Sequence, residues 1–297
     1  MLPFRRILFP VDYSPSCRAV TPYVQDLARH FHAQLAVIHA FALQPCLAIP
    51  NPREALVYTD LGGEYPQPVE QARSQEAQRL RDFASAAFPG QHVEVFAEEG
   101  EAATAIDRTV QRQGTDLVMM PTRGCGPVRR LLLGSVTAKV LHDISAAVWT
   151  GAGYTLNGHR PAIPYKSILC ALDESPEAEV VLKAGAALAA SYEARLTVMH
   201  AVGVFPMARD ADLSPYRDDL MKAAEVRLSE LKSRLGIDSR HVVVQGLLPE
   251  AAVREQALTD RADLIVTGRG HAPGGLSRIW SNLYAIVRDA PCPVLSV

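Results

Sequence analysis

The chain lacks the marks of several large protein classes. Its 297 residues hold five cysteines (Cys17, Cys46, Cys125, Cys170, Cys292), which are scattered and never spaced Cys-x-x-Cys. This argues against a disulfide framework or a zinc site and predicts a reducing, cytoplasmic setting. No apolar run approaches the roughly 20 residues that cross a bilayer. The opening MLPFRRILFPVD is not laid out as a signal peptide, because its apolar run is short and ends in an aspartate. Net charge is only −2, so no overall positive charge points to nucleic acid or to a membrane surface. No strand is followed by G-x-x-x-x-G-K-[ST], which excludes a P-loop, and none by G-x-G-x-x-G, which excludes the dinucleotide fingerprint. No nucleophile, base and orienting group emerge as a set. What is present is a globular composition, 48% hydrophobic and 21% charged, and enough length for about two domains.

The chain repeats itself. FRRILFPVDYSPSCRAVTPYVQDLARHFHAQLAVIHA, from Phe4, aligns without a gap on YKSILCALDESPEAEVVLKAGAALAASYEARLTVMHA, from Tyr165, with about a third of positions identical. Asp12 falls on Asp173, Ser14-Pro15 on Ser175-Pro176, and His39-Ala40 on His200-Ala201. Further on, TDLVMMPTRG matches ADLIVTGRGH. The first copy is the longer, and its extra residues lie in a Pro- and Gly-rich stretch, 43 to 68, that reads as a long loop. The predicted domains are residues 1–151 and 165–297, with 152–164 as linker.

Each copy alternates strand and helix. RILFPV is short and nearly all apolar, as a strand buried on both faces should be. Ser14 and Pro15 suit an N-cap and a first helical residue, opening a helix to about Phe31. QLAVIHAF, HVEVFA, DLVMM and AAVWT read as further strands, with helices between them. The expected class is α/β: two tandem Rossmann-like doubly wound domains, each a five-stranded parallel sheet flanked by helices. Ligands of such sheets sit beyond the carboxyl ends of the strands, where Asp12, Ala40 and the loop from Pro121 should meet.

That loop, PTRGCGPVRRLLLGSV, is rich in glycine and arginine. Glycine allows backbone amides to approach an oxyanion, and a helix N-terminus adds unpaired donors. Gly124 and Gly126 open the loop, Arg123, Arg129 and Arg130 offer charge, and Gly134-Ser135 begin a helix that Ser135 can cap, the alternative being that its hydroxyl donates to a phosphate. A surface turn with an ordinary N-cap explains the same residues equally well. Asp12 and Asp173 likewise suit helix capping. His39 and His200 read as packed residues, Cys125 as a small loop residue, and Met119-Met120 as strand core.

The order strand–Asp–Ser-Pro, strand–His-Ala, Gly-x-x-Gly-x9-Gly-Ser, and a closing CPVLSV strongly resembles the universal stress protein family in a tandem two-domain form. The resemblance implies a cytoplasmic stress-response or signalling module that binds ATP with Mg²⁺. It implies an amino-terminal site of Pro10, Val11, Asp12, Ala40, Met120, Pro121, Arg123, Gly124, Gly134, Ser135 and Val136. Asp12 would lie near the ribose and the metal-bound phosphates, touching Mg²⁺ only through the nucleotide. It further implies pairing of the two copies through their final strands, and leaves room for a homodimer of whole chains.

Two departures qualify this. Pro121 stands where the motif's first glycine belongs, removing one N–H donor. In the second copy Asp173, Ala201 and Gly268 persist, but His271 replaces the second glycine and Ser281-Asn282 replace Gly-Ser. The second site is therefore expected to be degenerate. The alternatives are a nucleotide-free tandem scaffold and a weak ATPase.

Overall fold

The computed structural model describes residues 3–42, 67–122, 133–151, 162–203, 214–245, 248–269 and 278–297. The first copy runs β1 (Arg6–Pro10), α1 (Pro15–His30), β2 (Gln34–Phe41), α2 (Gln67–Ala87), β3 (Val93–Glu99), α3 (Ala102–Gln113), β4 (Leu117–Pro121), α4 (Ser135–Asp143) and β5 (Ala147–Gly151). The second repeats the order as β6 (Ser167–Leu172), α5 (Ala178–Tyr192), β7 (Arg195–Val202), α6 (Ser214–Leu235), β8 (Arg240–Gln245), α7 (Pro249–Thr259), β9 (Leu264–Thr267), α8 (Arg278–Asp289) and β10 (Val294–Ser296). Most of the expected long loop, 43 to 66, and the stretch 152 to 161 lie outside the described residues.

Local chemistry sets the boundaries. Ser14 accepts from the Cys17 N–H at 3.0 Å and Pro15 fills the first turn, so α1 begins there. Glu101 caps α3 by accepting from the Thr104 N–H at 2.9 Å, and Gly114, at φ 61°, ends it in the left-handed conformation. Asp116 accepts from the N–H groups of Arg5 and Arg6 at 2.8 and 3.1 Å, tying the start of β1 to the start of β4. Its counterpart Asp263 does the same for Lys166 and Ser167, both at 3.0 Å.

The strands form one ten-stranded sheet in the order β3-β2-β1-β4-β5-β10-β9-β6-β7-β8. Each half is a parallel five-stranded, doubly wound unit flanked by helices. The halves join where β5 and β10 pair antiparallel, with Thr150 opposite Val294 and Trp149 opposite Leu295. Pairs on either side of this seam are parallel.

Two apolar clusters, one on each face of the sheet, cross the seam. On one face, α1 and α2 cover the first half and α5 and α6 the second. On the other face the cover is α3 and α4, then α7 and α8. Trp149 and Tyr165 are both buried, and the indole N–H donates to the Tyr165 hydroxyl at 2.9 Å. Tyr192 donates to Asp26 at 2.8 Å and stacks on His30 with ring centroids 3.8 Å apart. On the opposite face Tyr284 donates to the Ala138 carbonyl at 3.0 Å. Each buried aromatic contributes roughly 1.5–3 kcal/mol, so the seam is a core shared by the halves. Among the described residues no helix is long and apolar enough to cross a membrane.

Candidate functional site

β1 lies between β2 and β4. The chain therefore leaves the sheet in opposite directions from β1 and β4, and their carboxyl ends open a crevice. Pro10 closes β1, and Val11 donates to the Ile38 carbonyl at 2.7 Å, extending the ladder by one residue. Asp12 follows, exposed, and accepts from the Ser14 N–H at 3.0 Å. The carboxylate stays at the rim and shapes the turn into α1, leaving the cap itself to Ser14. Ala40, half-buried near the end of β2, packs on the same face as Met120 and Val136.

Across the crevice β4 ends in Met120 and Pro121, both buried. Thr122 donates to the Gly151 carbonyl, and its own carbonyl accepts from the Gly134 N–H, each at 3.0 Å. Thr137 donates to the Pro121 carbonyl at 3.1 Å. The loop that begins at residue 123 thus leaves and returns through one clasped neck. Arg123 and Gly124 lie outside the described residues. α4 starts at this neck with Gly134 as N-cap, in extended conformation and with no side-chain cap. Ser135 is the first helical residue and is exposed, which corrects the expectation that it caps the helix. Its hydroxyl lies past the cap position and cannot reach forward in the usual way. Among the described residues no side chain caps the first amides of α4.

On the other face of the sheet the first half carries an aromatic cluster that sequence reasoning missed. Tyr13 takes φ 60°, a left-handed conformation unusual for a bulky residue. Its ring lies 4.8 Å from that of His39 and 5.8 Å from that of Phe83, with the Arg79 guanidinium 4.1 Å above it. Burial and the nearby Glu76 carboxylate push the Tyr13 hydroxyl up to about 12. His39 donates from Nδ1 to the Val11 carbonyl at 2.7 Å, which makes it a structural clamp. His200 makes the same bond to Leu172 at 2.9 Å.

The second half keeps the frame and changes the site. Asp173 accepts from both the N–H and the hydroxyl of Ser175, at 3.1 and 2.5 Å. Ser175 therefore does not cap, and α5 begins only at Ala178. Ala201 keeps its half-buried place. A Cβ on Gly268 would meet Val181 Cγ2 at 3.2 Å, so packing favours glycine there. His271 lies outside the described residues. α8 begins at Arg278, so Ser281 and the half-buried Asn282 sit inside it, about one turn past its start. Their backbone positions belong to the helix, whereas Gly134 and Ser135 stand at a helix start.

Arg269 occupies the position of Thr122 and repeats its backbone bond, donating to Val297 at 3.2 Å. Its side chain is buried and crosses the seam to the carbonyls of Ile144 and Ala146. The only signal in the sequence was an arginine two residues past the end of an apolar strand.

Each half is thus a doubly wound α/β unit with its crevice at the switch point, and in the first half a helix starts there behind a glycine cap. The sequence pattern of the universal stress protein family matches residues 3–150 and again 164–297, and the chain belongs to that family as a tandem two-domain member. It is 32% identical over 138 residues to a universal stress protein of Thermus aquaticus, covering 45% of this chain and 98% of that protein. It is 34% identical over 140 residues to universal stress protein A homolog 1 of Coxiella burnetii, covering 45% and 96%. Over nearly its whole length it shares the fold of a universal stress protein from Archaeoglobus fulgidus, with a TM-score of 0.65 at 19% identity, covering 98% of this chain and 95% of that one.

Proposed function

We propose that this universal stress protein binds ATP in its amino-terminal half and acts as a nucleotide-responsive module. The observation that carries the reading is the uncapped start of α4, held by the Thr122–Gly134 clasp beside the crevice that Asp12 borders. Unpaired helix amides and the helix dipole favour a polyanion there. The glycine loop from Gly124 and the side chains of Arg123 and Ser135 would complete the phosphate cradle. Ala40, Met120 and Val136 would line the adenine end, with Pro10, Val11 and Pro121 as its backbone frame. Mg²⁺ would arrive on the phosphates and face Asp12. Pro121 supplies no amide, and its carbonyl is engaged by Thr137, so the α4 amides carry the phosphate role.

The second half acts as a structural partner. Its helix start lies a turn from the Ser281-Asn282 position, and Arg269 is committed to the seam. The pairing of β5 with β10 makes the chain an internal pseudo-dimer. A homodimer of whole chains would have to use another surface, because that strand edge is filled. Free cysteines Cys17, Cys170 and Cys292 suit a cytoplasmic location.

Titration calorimetry of the full chain with Mg-ATP tests the reading. Saturable binding at about one nucleotide per chain, lost in Gly134→Asp, is expected. Absence of binding at millimolar nucleotide overturns it in favour of a nucleotide-free scaffold. An ATPase reading would need turnover that disappears in Asp12→Ala.

A further inference from the structure

The second half has a cleft of about 220 Å³ between α5 and α6, on the face of the sheet away from Ala201 and α8. Leu172, Ala224, Leu228 and Leu231 form its apolar floor, and His200 and Arg227 stand at its wall. The first half shows what such a space accepts. Aligning the buried Leu80 of α2 with the buried Leu228 of α6 sets Glu76 against Ala224, Arg79 against Arg227 and Phe83 against Leu231. The repeat sets Tyr13 against Glu174 and His39 against His200.

In the first half the phenol ring of Tyr13 fills the space under Arg79, beside His39 and edge-on to Phe83. In the second half both rings are gone. Glu174 turns to Arg227, to which it is hydrogen-bonded, and lies 3.7 Å from His200 Nε2. Because His200 Nδ1 donates to the Leu172 carbonyl, Nε2 is the ring atom left for the cleft. The Arg227–Glu174 and Arg234–Glu179 pairs are exposed to water, which screens them, so they hold the cleft's mouth only weakly. They can part to admit a ligand.

We propose that this cleft binds a small monocyclic aromatic molecule carrying a polar substituent, seated under Arg227 and against His200 as Tyr13 is seated under Arg79. The size suffices, since an apolar cavity of about 150 Å³ holds benzene. The guanidinium gives a preference for a π face over an aliphatic ring. The proposal is independent of nucleotide binding in the first half.

The test uses p-cresol, the tyrosine side chain as a free molecule, titrated into the isotopically labelled full chain and followed by amide chemical shifts. Saturable shifts confined to residues 172–179, 200 and 224–234, in the millimolar range, are expected. Ala224→Leu adds three carbons to the cleft from its floor, and should weaken binding at least about fivefold while the remaining spectrum reports an intact fold. 4-Methylcyclohexanol, of similar size without a π face, should bind several-fold more weakly than p-cresol. The proposal is overturned by the lack of saturable shifts at these residues. Unchanged affinity in Ala224→Leu, or equal affinity for the two probes, overturns it as well.

Discussion

Arg269 donates from its guanidinium to the carbonyl of Ile144, and beside it to that of Ala146, across the seam between the two halves. Ile144 is the C-cap of α4, the helix whose opposite end forms the candidate phosphate site. The second half therefore places a cation at the carboxyl end of a nine-residue helix belonging to the first, where the helix dipole favours it. Burial lowers the Arg269 pKa to about 10, which leaves the group charged at neutral pH. Among the described residues no carboxylate pairs with it, and its Nε has no partner. A symmetric pairing of two first halves would set Thr122 opposite those carbonyls instead, and threonine cannot span the distance with two donors. Arg269 thus ties the second half to the first in particular.

Arg269→Ala should destabilise the chain by roughly 2–4 kcal/mol, since it leaves two buried carbonyls unpaired and opens a cavity. Arg269→Met should cost less, because it fills the volume and removes a buried charge. Urea unfolding measures both. In Arg269→Ala the single transition expected of a shared core should broaden or split. Identical midpoints for wild type and both variants would show the contact to be energetically idle.

Much of this architecture was legible wherever the governing chemistry is local. Ser14-Pro15 announces α1 because a cap and a first-turn proline act within three residues. Gly114 announces the end of α3 because only its left-handed conformation is needed. The apolar strands are legible because both faces are covered. Arg269 was not legible, because its partners lie 125 and 123 residues away and are backbone carbonyls, which leave no mark in the sequence. The early start of α8 escaped notice for a related reason: the loss of Gly-Ser was plain, but not that the helix would extend back through those positions. The Tyr13 cluster was missed because α2 supplies Arg79 and Phe83 from beyond the long loop. At the candidate site, Asp12, Ala40 and the neck of the loop were read from the repeat and the family resemblance.

The cysteines should divide by reactivity. Burial pushes the Cys17 thiol up to about 12 and raises those of Cys170 and Cys292 still further. At pH 8 all three stay protonated and shielded, and thiolate is the reactive form. Titration of the native chain with a chromogenic disulfide reagent should therefore detect no more than two of the five thiols quickly. The others should appear only in denaturant. A third fast thiol would contradict the burial described.

Glu101 should give the chain part of its acid sensitivity. It caps α3 through the Thr104 N–H and hydroxyl, both at 2.9 Å, and reaches Lys139 of α4 at 3.2 Å. Those bonds, led by the Thr104 amide, lower its pKa from 4.5 to about 2. A carboxylate with a depressed folded-state pKa stabilises fully above its unfolded value, and that stability is lost as pH falls through the folded one. The contribution should therefore fade between about pH 4.5 and 2, and solvent exposure keeps it modest. Glu101→Ala should cost about 1 kcal/mol at neutral pH, as lost helix caps do. Its cost should shrink toward zero at the acid end of that window, which thermal melts at stepped pH would follow.

Gly134→Asp should separate stability from binding. Gly134 is the N-cap of α4 at φ −62° and ψ 140°, an extended conformation open to any residue, so glycine is not required there for backbone reasons. Aspartate is a good N-cap, accepting from the amides two and three residues on, and its charge suits the positive end of the helix. The variant should be as stable as the wild type or a few tenths of a kcal/mol more so. Yet the carboxylate would consume the amides proposed for phosphate and repel the polyanion, so ATP affinity should fall at least about a hundredfold. Gly134→Ala adds bulk without charge or acceptor, and should lower stability slightly and affinity only severalfold. Melting temperature and calorimetric affinity, measured on both variants, should therefore rank them in opposite orders. If aspartate weakened the fold and left nucleotide binding intact, the α4 amides would not be the phosphate site.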